Sequence, residues 1–294
     1  MTFRISTSEV ATFLTCKQRW MYAHHPSYNL EPRTLGIALT RGVVGHAALE
    51  MFYKMIQSGK TFTESESAVM EYLVKKSLEA ITIGDIDKAN MIGQLGPTIQ
   101  QYFTDTKWIL DRYKIVGVEN IVSAPLPGMP DIEFVGRIDL TLENDKGEVS
   151  PYDHKFTYNF WSEQSIRMNA QISNYVWALR EMGMHSRRGF LNMVRYRDNA
   201  IEKFKQEEVP TNSHLREVFI NNHAVAAKDI AELKKRETVG IADGVTRSTS
   251  KFNCEYCPFV DLCYTEASGL DTSAMRQANY RPNSYGYDNV LDVE

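Results

Sequence analysis

The sequence predicts an α/β fold. Three observations carry that expectation. Residues 134–142 and 149–156 are two short apolar runs joined by Asn144-Asp145-Lys146-Gly147, which is turn chemistry between antiparallel strands. Residues 114–123, KIVGVENIVS, alternate apolar and polar side chains and read as a strand ahead of that hairpin. Residues 163–182 carry Ile166, Ala170, Ile172, Val176 and Leu179 among their apolar positions and lead into a further strand at 187–197. The order is therefore β-β-β-α-β, preceded by helices.

At 294 residues the chain can form one large domain or two small ones. Its apolar and charged fractions, 43% and 24%, are those of a soluble globular protein. No apolar run is long enough to span a membrane. The opening MTFRISTSEV holds no apolar signal-peptide core, so a cytoplasmic protein is expected. A net charge of −4 excludes a bulk polycation, and nucleic acid would need a local basic groove. Four cysteines in a reducing compartment favour a metal over disulfides.

Residues 6–24 read as the first helix, opened by Ser6 and Glu9 in a capping-box pattern, with Cys16 in its middle. Residues 36–58 read as a second helix, whose apolar stripe contains His46. Alone, that histidine reads as a core residue more readily than as a ligand. The segment Gly36–Gly42 lacks the Gly-Lys-Ser/Thr of a phosphate-cradling loop. Residues 63–80 form a helix opened by Thr63 to Glu66, and 86–113 form one or two more, with Gly93, Gly96 and Pro97 marking a break. The stretch of about 60–113 reads as a helical insertion. Glu119 lies on the first strand, where a solvated role is the plain reading. APLPGMPD reads as a loop into the hairpin.

The hairpin carries the chemistry. Asp153 and Lys155 are two apart on one strand and share a face. An antiparallel partner brings Asp139 alongside. Two carboxylates suit a hard divalent cation, and a lysine beside them suits a charged phosphate or an attacking water. That set equips a site for metal-assisted phosphodiester hydrolysis. The competing reading is a hairpin with a surface salt bridge.

The segment 134–156 resembles the PD-(D/E)XK nuclease superfamily. Gly136-Arg137-Ile138-Asp139 would hold the first acid and Asp153-His154-Lys155 the (D/E)-X-K. Ile138 stands where proline is common, a departure usual in the RecB-like branch. Gly42-x3-His46-x2-Leu49-Glu50 is similar to the motif whose helical histidine reaches the metal in that branch. Gln171 and Tyr175, 16 and 20 residues after Lys155, resemble its Q-x3-Y motif. The resemblance implies the restriction-endonuclease-like αβββαβ core with added helices. It implies magnesium or manganese held by His46, Asp139, Asp153 and the carbonyl of His154, with Glu119 as a further acid. Lys155, Gln171 and Tyr175 join Asp139 and Asp153 as the catalytic set.

Residues 187–205 gather Arg187, Arg188, Arg195, Arg197, Lys203 and Lys205. They read either as a charged strand edge or as a phosphate-tracking surface in which Arg195 and Arg197 bind DNA. Trp20, Tyr22 and Trp161 read either as core aromatics or as rings that stack on unpaired bases. Residues 212–237 form a long polar helix.

Cys254, Cys257 and Cys263 have C-x2-C-x5-C spacing and, with Cys16, account for every cysteine. Four thiolates suit zinc or a 4Fe–4S cluster, and spacing alone favours zinc. The arrangement, with proline after Cys257, is similar to the iron–sulfur staple of AddB-like nucleases and of the exonuclease of CRISPR adaptation. That resemblance implies a 4Fe–4S cluster joining segments 6–24 and 252–265, with zinc as the alternative. Such a staple closes a loop of more than two hundred residues.

The expected organisation is one nuclease domain over 1–267 and a flexible tail over 268–294. The expected function is that of a metal-dependent DNA nuclease, an exonuclease on single-stranded or linear DNA ends, working in the cytoplasm or, for a viral member, in the host cytoplasm. The expected partners are DNA and a helicase or a recombination or integration protein, with no membrane. The alternative is a non-catalytic DNA-binding or assembly protein with a structural zinc.

Overall fold

The computed structural model describes residues 2–197 and 200–283. In chain order the first elements are β1 (Phe3–Ser6), α1 (Thr7–Thr15), α2 (Lys17–His24), β2 (Leu30–Pro32), α3 (Ile37–Gln57), α4 (Phe62–Thr82) and α5 (Ile86–Arg112). Next come β3 (Lys114–Leu126), β4 (Met129–Glu143), β5 (Val149–Thr157), α6 (Glu163–Arg167), α7 (Ala170–Glu181), β6 (Gly189–Arg195) and β7 (Phe204–Val209). The last are α8 (Ser213–Lys234), α9 (Lys251–Glu255), α10 (Val260–Ala267), α11 (Ser273–Asn279) and β8 (Tyr280–Pro282). The fold is mixed α/β, as the sequence predicts. By contacts the chain divides into two compact units.

One unit comprises Gly36–Val122 and Gly136–Phe219. Its sheet runs β3-β4-β5-β6-β7. The β4–β5 hairpin is antiparallel, with Leu140 opposite Tyr152. β6 is parallel to β5, with Asp153 opposite Leu191 and Lys155 opposite Met193. α3, α4 and α5 cover one face of this sheet. Phe52, Phe103, Tyr102, Leu95 and Leu73 pack with Leu140, Tyr152 and Val194 in a single buried core. The Phe52 and Phe103 rings stack at 4.0 Å. Burying side chains of this size contributes about 1.5–3 kcal/mol each. The helices read as an insertion are thus a main layer of this core.

α3 meets the sheet at Gly45, where an added Cβ would lie 2.4 Å from the Phe156 ring. Only glycine allows that approach, and it seats the next residue, His46, over β5. α4 is capped by Thr61 and Glu64 in a capping box, two residues before the expected one. α5 continues through Pro97 where a break was expected. Pro97 and Gly93 are both exposed, so the carbonyl that loses its N–H partner is on the solvent side of the helix. Residues 163–182 divide into α6 and α7, because Asn169 caps the second helix by accepting from the Ile172 N–H. β7, which holds Lys205, was not read from the sequence.

The other unit comprises Met1–Leu35, Ser123–Val135 and Ile220–Glu294. β1 pairs in parallel with β4, Ile5 opposite Phe134. The expected loop 124–131 is strand on both sides of a tight turn at Gly128, which has φ +70. The expected helix 6–24 is a strand and two helices. Ser6 accepts from the Glu9 N–H, but the buried Glu9 carboxylate turns to Trp20 Nε1 at 2.9 Å and Lys234 Nζ at 2.9 Å rather than back to the cap. Cys16 then breaks the helix in extended backbone, φ −159 and ψ 111. Within the expected tail, α11 and β8 are ordered because β8 pairs antiparallel with β2, Glu31 opposite Arg281. Residues 284–294 of that tail lie outside the described residues.

Candidate metal centre and cysteine cavity

Continuing the β4–β5 register by one step sets Asp139 opposite Asp153. The His154 N–H donates to Asp139 Oδ2 at 2.6 Å. His46 Nδ1 lies 3.4 Å from the same oxygen. Burial alone would raise the Asp139 carboxyl, but the His46 hydrogen bond and the charges and amide around it win and hold it below the usual carboxylate range. His46 is pushed the other way: burial lowers it, and the Asp139 contact raises it above its ordinary value.

Asp153 is buried and paired with Lys155, Nζ to Oδ2 at 2.6 Å. Burial raises the Asp153 carboxyl, with Lys155 opposing and Asp139 adding to the rise. The Lys155 ammonium keeps its proton firmly, since Asp153 outweighs the cost of burial. Lys155 Nζ donates to Gln171 Oε1 at 3.2 Å, Gln171 Nε2 donates to Tyr175 Oη at 2.8 Å, and Tyr175 Oη donates to the Arg137 carbonyl at 2.8 Å. The i, i+4 spacing on α7 makes this chain possible. All the site residues expected in this unit therefore meet, apart from the basic pair discussed below. His154 contributes its amide; its ring turns into the helical layer, stacked on Tyr53 at 5.8 Å.

Glu119 is the finding that sequence alone placed least well. Its backbone has φ +53, the left-handed region that costs a non-glycine residue about 1–2 kcal/mol. The buried side of β3 changes phase there, from Gly117 to Val122, as at a bulge. Asn120 lies over Gly117 and accepts from Thr141 Oγ1 at 2.7 Å, fixing the kink. The kink aims Glu119 inward. Its carboxylate pairs with Arg137 Nε at 2.9 Å. Burial, then the Asp139 charge, raises its pKa to about 7. Arg137 was visible only as part of Gly-Arg-Ile-Asp, with no signal for its two contacts.

His46, Glu119 and Asp139 each offer a ligand atom within 4.8 Å of the others, the only such group of three among the described residues. Two carboxylates that repel each other and one imidazole form an oxygen-rich donor set, which fits a hard divalent cation such as magnesium or manganese.

In the other unit Cys16, Cys254, Cys257 and Cys263 are half-buried, unpaired thiols lining one cavity of about 240 Å³. The Ser248 N–H donates to Cys16 Sγ at 3.5 Å. Arg247 sits by Cys263 and pairs with Glu266 at 3.1 Å. Burial raises the Cys257 thiol. Four thiols around one cavity are a donor set that suits either a zinc ion or an iron–sulfur cluster. Trp20 and Tyr22, named above as stacking candidates, are fully buried and unavailable to bases.

Among the described residues no helix is long and apolar enough to cross a membrane. No curated protein matches the chain. Among solved structures it is similar to SSO0001, at 14% identity over 65% of this chain and 80% of that one, with a TM-score of 0.36. It is also similar to a protein from Eubacterium rectale named "Putative exonuclease", at 10% identity over 84% and 90%, with a TM-score of 0.45. The family description that matches the sequence covers residues 4–264. By that match, which takes in the hairpin acids, Lys155 and all four cysteines, the chain belongs to the PD-(D/E)XK nuclease superfamily.

Proposed function

We propose that the protein is a metal-dependent deoxyribonuclease acting as an exonuclease on single-stranded or linear DNA ends. The observation that carries this reading is the convergence of His46, Glu119 and Asp139 within 4.8 Å beside the Asp153–Lys155 pair. Magnesium or manganese would be held by His46, Asp139 and Glu119, with Asp153 and the His154 carbonyl completing the set. When bound, such an ion neutralises charge on the scissile phosphate and acidifies water. The residues of the chain do the rest. The His154 amide fixes the Asp139 carboxylate. Lys155 faces the charge that develops on the phosphate and orients the attacking water. Gln171 and Tyr175 lock Lys155 against the Arg137 carbonyl, so the ammonium needs no reorganisation during the reaction.

The four cysteines hold a 4Fe–4S cluster in this reading, supported by one cavity lined by all four thiols. The cluster ties segments distant in sequence. The protein works on DNA in the cytoplasm, or in a host cytoplasm for a viral member, alongside a helicase or a recombination or integration protein. The test is incubation of anaerobically purified protein with end-labelled linear DNA and with closed circular DNA, with and without magnesium. Loss of label from linear DNA alone, in magnesium alone, is the expected result.

A further inference from the structure

Lys155 is followed at once by an unusual surface. Three arginines lie over three aromatic rings just beyond the paired ends of β5 and β6. The Arg41 guanidinium sits 3.8 Å from the Tyr196 ring centre, Arg195 sits 4.3 Å from Phe160, and Arg197 sits 5.6 Å from Tyr158. The two tyrosine rings approach at 5.9 Å, tilted by 59°. Thr157 and Arg195 form the last pair of the parallel ladder, and the Tyr196 N–H donates to the Thr157 carbonyl at 3.0 Å. That bond holds the two strand ends together.

The groups divide by job. Arg195 spends its donors on the Glu202 carbonyl, at 2.9 Å through Nε, so the Arg195–Phe160 pair is framework. Arg41 and Arg197 form no ion pair with a carboxylate among the described residues. Tyr158 is 54% exposed. Tyr196 is half-buried. Accessible aromatic rings backed by guanidiniums that have no carboxylate partner among the described residues stack on flat, electron-rich groups and attract phosphates at the same time. Beyond the carboxyl ends of parallel strands is also where open α/β sheets take their ligands. Tyr158 follows Lys155 by three residues of extended chain, about 10 Å. Arg41 precedes His46 by five residues of helix, about 7.5 Å. The surface therefore adjoins the metal centre within the same unit.

We infer that Tyr158 and Tyr196, backed by Arg41 and Arg197, form a base-stacking platform for the nucleotides next to the scissile phosphate, and that the site takes its strand unpaired. The inference rests on the nuclease reading above and names its substrate as single-stranded nucleic acid. A duplex keeps the faces of its bases covered, so its bases have nothing to offer these rings. Stacking on aromatics is tolerant of sequence, because every base has a flat face.

The experiment is fluorescence anisotropy with the full chain and no added divalent cation, using a labelled oligothymidylate, an abasic strand of equal length and a blunt duplex. Tyr158→Ala and Tyr196→Ala should each weaken oligothymidylate binding about 10-fold, the loss of one stacked base. Tyr158→Phe should bind like wild type. Abasic strand and duplex should bind wild type and all variants alike. Alanine variants that bind oligothymidylate as wild type does would overturn the platform. So would an equal loss on abasic strand or duplex, which would place the tyrosines on the backbone instead. Cleavage of end-labelled DNA is read on the same preparations. A protein that cuts DNA while its alanine variants bind normally loses the platform and keeps the nuclease reading. A protein that neither cuts nor binds loses both.

Discussion

The backbone N–H of His154 donates to Asp139 Oδ2 at 2.6 Å, so the middle residue of the Asp-His-Lys run fixes the acid on the neighbouring strand. The flanking residues Asp153 and Lys155 point the other way from the His154 ring, and one strand thereby supplies an amide, a carboxylate and an ammonium to a single centre. Removing any member should be felt at the chemistry. Asp139→Ala, Asp153→Ala and Lys155→Ala are each expected to lower cleavage by about 100-fold or more, the scale of a lost transition-state contact. Circular dichroism should show all three folded. A variant cutting at the wild-type rate in magnesium would remove its residue from the site.

Glu119 is expected to act through cation affinity. Its left-handed backbone and its contact distance from His46 and Asp139 motivate this. Glu119→Gln keeps the shape and removes the charge. The magnesium concentration for half-maximal cleavage should rise about 10-fold, equivalent to about 1.4 kcal/mol of lost cation binding, with less effect at saturating magnesium. An unchanged magnesium dependence would return Glu119 to a structural role beside Arg137.

The cysteine cavity yields a prediction independent of the metal centre. Freshly purified protein should be brown, with about four irons per chain. Cys16→Ser should lose colour and stability together, since bound metal contributes folding free energy. A colourless protein with stoichiometric zinc and full cleavage would overturn the cluster and leave the nuclease standing, because the two rest on different residues.

The buried histidines' share of stability should fall as the solution becomes acidic. His223 is buried against the Ile5 carbonyl, Nε2 to O at 3.3 Å, and burial lowers its pKa from 6.5 to about 4. Burial lowers His24 and His25 as well. At these histidines the unfolded chain binds more protons than the folded one between these values, so their share of stability rises with pH there, while the raised Glu119, Asp153 and His46 slope the other way. The histidines' share is fully present above about 6.5 and is lost as pH falls towards 4. His223 alone contributes up to roughly 3 kcal/mol of that slope. Urea unfolding of wild type and His223→Asn at pH 7 and pH 5 should show wild type losing more stability, or gaining less, than the variant as pH falls. The same pH dependence in both would contradict the prediction.

What could be read from the sequence followed the physics of each signal. Asp139, Asp153, Lys155, Gln171 and Tyr175 were legible because strand period two and helix period 3.6 fix which side chains share a face. Glu119 was hard to place because a bulge breaks that period, and no local residue pattern announces a bulge at Gly117–Asn120. The two units were invisible because β3 and β4 run through the boundary without a linker. α5 hid its continuity, since Pro97 signals a break unless its orphaned carbonyl reaches water. Tyr158, Tyr196 and Arg41 are far apart in sequence; the parallel β5–β6 pairing brings the two tyrosines together, and α3 lays Arg41 over Tyr196.

The measurement that tests the central claim most directly is the release of end label by the full chain, on linear and on closed circular DNA, with and without magnesium, beside Asp153→Ala. The site described here predicts label lost from linear DNA in magnesium only, intact circles, and no loss with Asp153→Ala. Equal cleavage without any divalent cation, or by Asp153→Ala at the wild-type rate, would contradict it.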